Sequence, residues 1–143
     1  MSSCAFSSSC SAAVDASASR HRIVRTGWVE PRDLAALVAA ASVLAYPSLY
    51  EGFGFPPLQA MEAGVPVVAT RAGSLPEVLG DGALLVDTGD EDALAGAIDA
   101  LFGDDALRSR LVAAGRAWSA RFSWERCAEG LEVLYRDAAG RGR

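Results

Sequence analysis

Residues 47–70 read PSLYEGFGFPPLQAMEAGVPVVAT. Gly52 and Gly54 bracket Phe53 directly after Glu51, and Pro56 and Pro57 then open a short apolar run. Proline fits the first turn of a helix, where an N–H would have no partner, and Gly64 suits the C-terminal end. PPLQAMEAG is therefore expected to be helical. VPVVAT, which follows, is a continuous β-branched run, the pattern of a strand buried on both faces of a parallel sheet. On the other side, SVLAYPS reads as a short apolar strand stopped by Pro47. The stretch is a strand, a glycine-rich loop, a helix and a second strand.

The same alternation extends in both directions. RIVRTGWV (22–29) is a short β-rich run broken by Gly27, and EPRDLAALVAAAS is helical, with Leu34, Leu37, Val38 and Ala41 at spacings of three and four. AGSLPEVLGDG gives a loop and a short helical turn, and ALLVD another buried strand. TGDEDALAGAIDALFG opens with Thr88 and Glu91 in capping-box spacing. Two amphipathic helices close the chain. One carries Leu107, Leu111, Ala114, Trp118 and Phe122 on a stripe; the other starts at Ser123 as N-cap and repeats Trp124, Cys127, Ala128, Leu131, Leu134 and Tyr135. Strands alternating with helices imply an α/β fold, a partial Rossmann-like parallel sheet flanked by helices. Residues 1–21 are Ser-rich and aperiodic and are expected to be a disordered leader, with the domain at 22–143.

The 143 residues suit one domain, with 51% hydrophobic content and a formal net charge of −5. That balance argues against nucleic acid or a polybasic membrane anchor as partner, because both need clustered cations. The chain contains no lysine, so a phosphate contact must use arginine or backbone amides. Cys4, Cys10 and Cys127 form no CxxC pair, which favours a reducing compartment, and no apolar run is long enough to span a bilayer. The expected location is cytoplasmic.

In parallel α/β sheets ligands bind beyond the carboxyl ends of the strands, where loops meet helix N-termini. The Glu51–Leu58 loop is such a connection. Gly52 and Gly54 permit close backbone approach, and the helix N-terminus offers free amides and a positive dipole end to a diphosphate. With Pro56 and Pro57 lacking N–H groups, the donors fall around Gly54, Phe55 and Leu58. A carboxylate repels phosphate, so Glu51 is better suited to accept from ligand hydroxyls, such as those of a sugar. The alternative is a tight turn with Glu51 solvated. The acidic groups DTGDED and GDD stand at helix starts and read as N-caps rather than metal ligands. His21 is expected at the surface and Cys127 in the core.

The run ASVLAYPSLYEGFGFPPLQAMEAGVPVVATRAGSLPEVLGDGALLVD closely resembles the donor-binding half of the GT-B glycosyltransferases. It is most similar to the retaining glycosyl transferases group 1 family (family 4), over roughly Arg22 to Ala139. That resemblance implies a nucleotide diphosphate sugar as donor and a metal-independent fold. The family's hallmark is a Glu, seven residues, and a second Glu. The first matches Glu51, which would take the donor sugar's hydroxyls. The second falls on Gln59, at the position that grips the ribose; glutamine keeps an acceptor and adds donors but loses the charge-assisted strength. Gly52, Phe53 and Gly54, with Phe55 and Leu58, match the loop that presents amides to the diphosphate. Gly27, Trp28 and Val29 match the loop beside the nucleobase, although Trp28 could equally be core packing. Gly73, Ser74 and Glu77 match a loop lining the donor cleft, or simply a helix start.

By the same resemblance the acceptor-binding N-terminal half and the first donor-domain strands are missing, together with an Arg and a Lys that neutralise the diphosphate. A truncated chain is expected, inactive alone or complemented by an N-terminal half. Two alternatives stand beside this reading: a non-catalytic fragment, or an unrelated Rossmann-type enzyme such as a dehydrogenase, for which the supporting GxGxxG is absent.

Overall fold

β2, Val67–Thr70, is the strand on which the domain is built, and in the computed structural model, which describes residues 8–140, all four of its residues are buried. It lies between β1 (Leu44–Tyr46) and β3 (Leu84–Val86), and both pairings are parallel. Leu44 stands opposite Val67 and Tyr46 opposite Ala69, while Val68 faces Leu84 and Thr70 faces Val86. Side chains alternate across a strand, and β2 has apolar cover on both sides. Val67 and Ala69 join a core with Leu58, Met61, Leu75 and Leu79, whereas Val68 joins Leu101 and Leu111. This double burial is why VPVVAT carries no polar residue before Thr70.

The helices follow the sequence pattern. α1 is Ser8–Ala16, α2 Pro31–Ala40, α3 Phe55–Ala63 and α4 Leu75–Leu79. α5 is Glu91–Gly103, α6 Asp105–Ser119 and α7 Trp124–Gly140. α3 begins beside Gly54 and ends at Gly64, both in the left-handed region. At that C-terminal end the Arg116 guanidinium of α6 donates to the Ala63 carbonyl at 3.3 Å, a favourable place for a cation. The Trp118 indole N–H of α6 donates to Val78 of α4 at 2.9 Å. The acidic groups act as N-caps: Asp90 accepts from the Ala93 amide and Asp104 from the Leu107 amide, each at 2.8 Å. Ser123 Oγ accepts from the Arg126 amide at the start of α7.

Several expectations are corrected. Ser8–Ala16 is helical, inside the segment expected to be disordered. Residues 23–30 form no strand, since nothing among the described residues pairs with them. α5 is capped by Asp90 rather than by Thr88, because Asp90 stands directly before the first helical residue. α7 forms as expected, but none of its residues is buried, and Cys127 is exposed rather than core. Periodicity marks an apolar face without saying whether anything covers it.

The chain divides into two compact units, one ending at Pro31 and one starting at Arg32. In the first, Arg25 pairs with Asp15 at 3.1 Å and donates to the Ser11 carbonyl.

Candidate functional site: the glycine loop after β1

β1 ends at Tyr46, and the chain then crosses Pro47–Gly54 to reach α3. Two ties hold this loop to β2 and to the segment after it. Thr70 Oγ1 donates to the Ser48 carbonyl, and the Ser74 amide and hydroxyl both donate to the Glu51 carbonyl, at 3.1 and 3.3 Å. Gly73 makes this approach possible. It has φ +54, and a Cβ there would strike the Glu51 carbonyl oxygen. Ser74 stands before α4, yet its hydroxyl does not cap that helix. It is spent on Glu51.

The Glu51 side chain is equally constrained. Its Oε2 accepts from the Tyr46 hydroxyl at 2.5 Å, and its Oε1 accepts from the amides of Gly52 and Phe53 at 3.0 and 3.4 Å. The Tyr46 hydrogen bond, followed by the Phe53 amide, holds the Glu51 carboxyl below the usual carboxylate range. Burial, then the hydrogen bond to Glu51 and its charge, push the Tyr46 phenol up to about 12. At neutral pH the pair is thus a neutral phenol donating to an ionised carboxylate. Glu51 is half-buried, with both carboxylate oxygens hydrogen-bonded inside the turn.

The remaining sequence-derived residues divide. Gly54 is buried and left-handed, and Phe55 opens α3 with its ring exposed. The Leu58 amide donates to the Gly54 carbonyl as the first bond of α3, and the Leu58 side chain lies in the core. Leu58 therefore shapes the loop from beneath rather than presenting a donor. Gln59 is exposed on α3, and Glu77 is exposed on α4. Trp28 and Val29 belong to the first unit, where Trp28 is 78% exposed.

A groove of about 550 Å³ opens beside the loop. Gly52, Phe53, Ser74 and Glu77 line it together with Trp118, Arg121, Phe122 and Arg126. Phe53 packs against Phe55 and, edge-on, against Phe122, with ring centres 4.8 and 6.0 Å apart. The Arg121 guanidinium lies 4.2 Å over the Trp118 ring, a cation–π contact. Sequence reasoning missed Arg121 and Arg126. The signal was present in ARFSWER, two arginines flanking a helix break in a lysine-free chain, but nothing local tied that break to the glycine loop 70 residues earlier. Among the described residues, no three His, Cys, Asp or Glu side chains gather as metal ligands, and no helix is long and apolar enough to cross a membrane.

The fold and loop define a class: a parallel α/β domain with a glycine-rich loop at the carboxyl end of β1 joined to the turn after β2. Comparison with known proteins makes the class specific. Residues 12–118 match the family model described as glycosyl transferases group 1. O-antigen chain mannosyltransferase B of Escherichia coli is 48% identical over 101 residues, covering 71% of this chain and 26% of that protein. Sucrose-phosphate synthase of Thermosynechococcus elongatus superposes with a TM-score of 0.74 at 34% identity, over 85% of this chain and 31% of that one. Anabaena HepE, solved in complex with UDP, gives a TM-score of 0.61 at 30% identity, over 68% and 29% of the two chains. The chain belongs to the glycosyl transferases group 1 family, and its parallel α/β sheet matches part of the GT-B glycosyltransferase fold. It spans about a quarter of the length of the curated relatives it matches. The dehydrogenase alternative is overturned. The family match also begins at residue 12, inside the segment read as a leader.

Proposed function

We propose that the chain is the donor-binding part of a retaining, family 4 glycosyltransferase acting in the reducing cytoplasm. It would hold a nucleotide diphosphate sugar whose hexose passes to an acceptor hydroxyl with retention at the anomeric carbon. The observation that carries this reading is the Glu51 carboxylate, held by the Tyr46 hydroxyl on a glycine loop at the carboxyl end of β1, with the Glu51 backbone carbonyl joined to the Gly73–Ser74 turn after β2. A fixed acceptor of this kind suits sugar hydroxyls, and neighbouring amides suit phosphate oxygens.

In this reading Glu51 orients the donor sugar, and the loop amides from Gly52 to Phe55 face the diphosphate. Gln59 reaches the ribose hydroxyls, and Gly73, Ser74 and Glu77 wall the cleft. No metal is assigned a role. The acceptor would be held by an N-terminal GT-B half that complements this chain, so the chain alone is expected to bind donor without appreciable turnover.

Calorimetric titration of the full chain with UDP-glucose and GDP-mannose tests the assignment. Glu51→Ala should weaken binding of whichever nucleotide sugar binds by about tenfold or more, the scale of a lost hydrogen bond to a charged group. Undiminished binding by that variant would remove Glu51 from the site.

A further inference from the structure

The two oxygens of Glu51 make different kinds of contact. Oε2 is held by the Tyr46 hydroxyl at 2.5 Å, whereas Oε1 rests on the Gly52 and Phe53 amides, the second of these at 3.4 Å. The first contact is a short bond to an ionised acceptor and the second is at the long limit, so they differ in strength. They differ in rigidity too. Tyr46 is the last residue of β1, paired to Ala69 of β2, and its ring packs on the main core. Gly52 is exposed in the loop. Two consecutive amides turned toward one carboxylate oxygen also form the kind of concavity that takes an anionic oxygen.

We propose that Tyr46 is the positioning residue of this site: its hydroxyl pins Glu51 by Oε2, leaving Oε1 to exchange the Gly52 and Phe53 amides for a hydroxyl of the donor sugar while those amides pass to a phosphate oxygen. The proposal rests on the reading of Glu51 as the sugar-hydroxyl acceptor. In the free chain the carboxylate stands in for the incoming anion and keeps two amides satisfied. No atom need travel far on binding, because the pivot is anchored on the sheet. The groups around the carboxylate agree with this division. β1 contributes Tyr46, a neutral phenol at pH 7 that donates to Oε2. The turn before α4 contributes Ser74, which binds the Glu51 carbonyl rather than its carboxylate. Glu77 lines the same groove as Gly52.

Tyr46→Phe keeps the packed ring and removes the hydroxyl. In the full chain, carbon-13 NMR of the Glu51 carboxyl, assigned by its loss in Glu51→Gln, should titrate at higher pH in Tyr46→Phe than in the wild type. Binding of UDP-glucose or GDP-mannose should weaken about tenfold, while the matching nucleoside diphosphate without the sugar changes by less than about twofold. Tyr46→Phe added to Glu51→Gln should have little further effect, since the tyrosine acts through the carboxylate. An unmoved Glu51 midpoint overturns the proposal. So does equal weakening for sugar nucleotide and bare diphosphate, which would mark a damaged loop. If the wild-type chain binds none of these ligands, the glycosyl-donor reading fails instead, and the titration still decides whether Tyr46 holds Glu51.

Discussion

Gly73 lies against the backbone of Glu51, with the space a Cβ would need filled by the Glu51 carbonyl oxygen and the Glu51 amide nitrogen 3.0 Å from it. The turn after β2 and the loop after β1 are thus fitted to each other at backbone level, and Ser74 completes the join with two hydrogen bonds.

Gly73→Ala therefore carries two penalties. A left-handed φ costs a non-glycine residue about 1–2 kcal/mol, and the methyl group meets backbone, which cannot rotate aside. We expect a loss of at least about 2 kcal/mol of folding stability, read as a lower urea midpoint. An unchanged midpoint would mean that the turn relaxes freely and that the interlock is unimportant.

Gln59→Glu should tighten nucleotide binding several-fold, because a hydrogen bond to a charged acceptor is roughly twice as strong as a neutral one. Titration with the nucleoside diphosphate that the wild type binds is the measurement. Weaker binding in the variant would show that Gln59 does not face the ribose.

Acid should erode what Glu51 contributes. The folded chain favours its ionised form, chiefly through the Tyr46 hydroxyl, so its pKa is lower folded than unfolded. The linked stability is then complete above the ordinary glutamate pKa of about 4.3 and is lost as pH falls through the lower folded value. The melting-temperature difference between wild type and Glu51→Gln should accordingly narrow in favour of the variant as pH drops from about 6 to about 3. A difference that moves the other way would contradict the assigned direction.

Leu101 and Asp104 separate packing from capping at the junction of α5 and α6. Leu101 is fully buried beside Val68 and Leu111, and Leu101→Ala should cost about 2–5 kcal/mol. Asp104→Ala removes only the cap on Leu107 and should cost about 1 kcal/mol. Denaturant unfolding of the two variants tests the ranking; a larger loss for Asp104→Ala would reverse it.

The central strand was legible in the sequence because VPVVAT must satisfy two apolar faces at once, a demand that leaves its mark on every residue. The acidic groups at the starts of α5 and α6 were legible as caps because capping is local, between a carboxylate and an amide three residues on, although for α5 the capping-box spacing pointed to Thr88 and the cap is Asp90. Burial of α7 was not legible: Trp124, Leu131 and Tyr135 obey a helical period, yet all three are exposed. The Glu51 loop was recognised from its glycines and its family pattern. Its Tyr46 anchor and its Ser74 join were not, since both depend on how strands come into register. Arg121 and Phe122 likewise reach the groove only through the packing of α6 against α3 and α4.

Arg116 holds the end of α3 from a position 53 residues further along the chain. A protein is synthesised from its N-terminus, at roughly 5–20 residues per second, so the glycine loop and the helix it feeds leave the ribosome seconds before α6 can brace them. The loop is made early but finished late. Any pause in translation across α6 would leave the glycine loop and α3 assembled in sequence and without their Arg116 brace, which makes the last third of the chain their timekeeper.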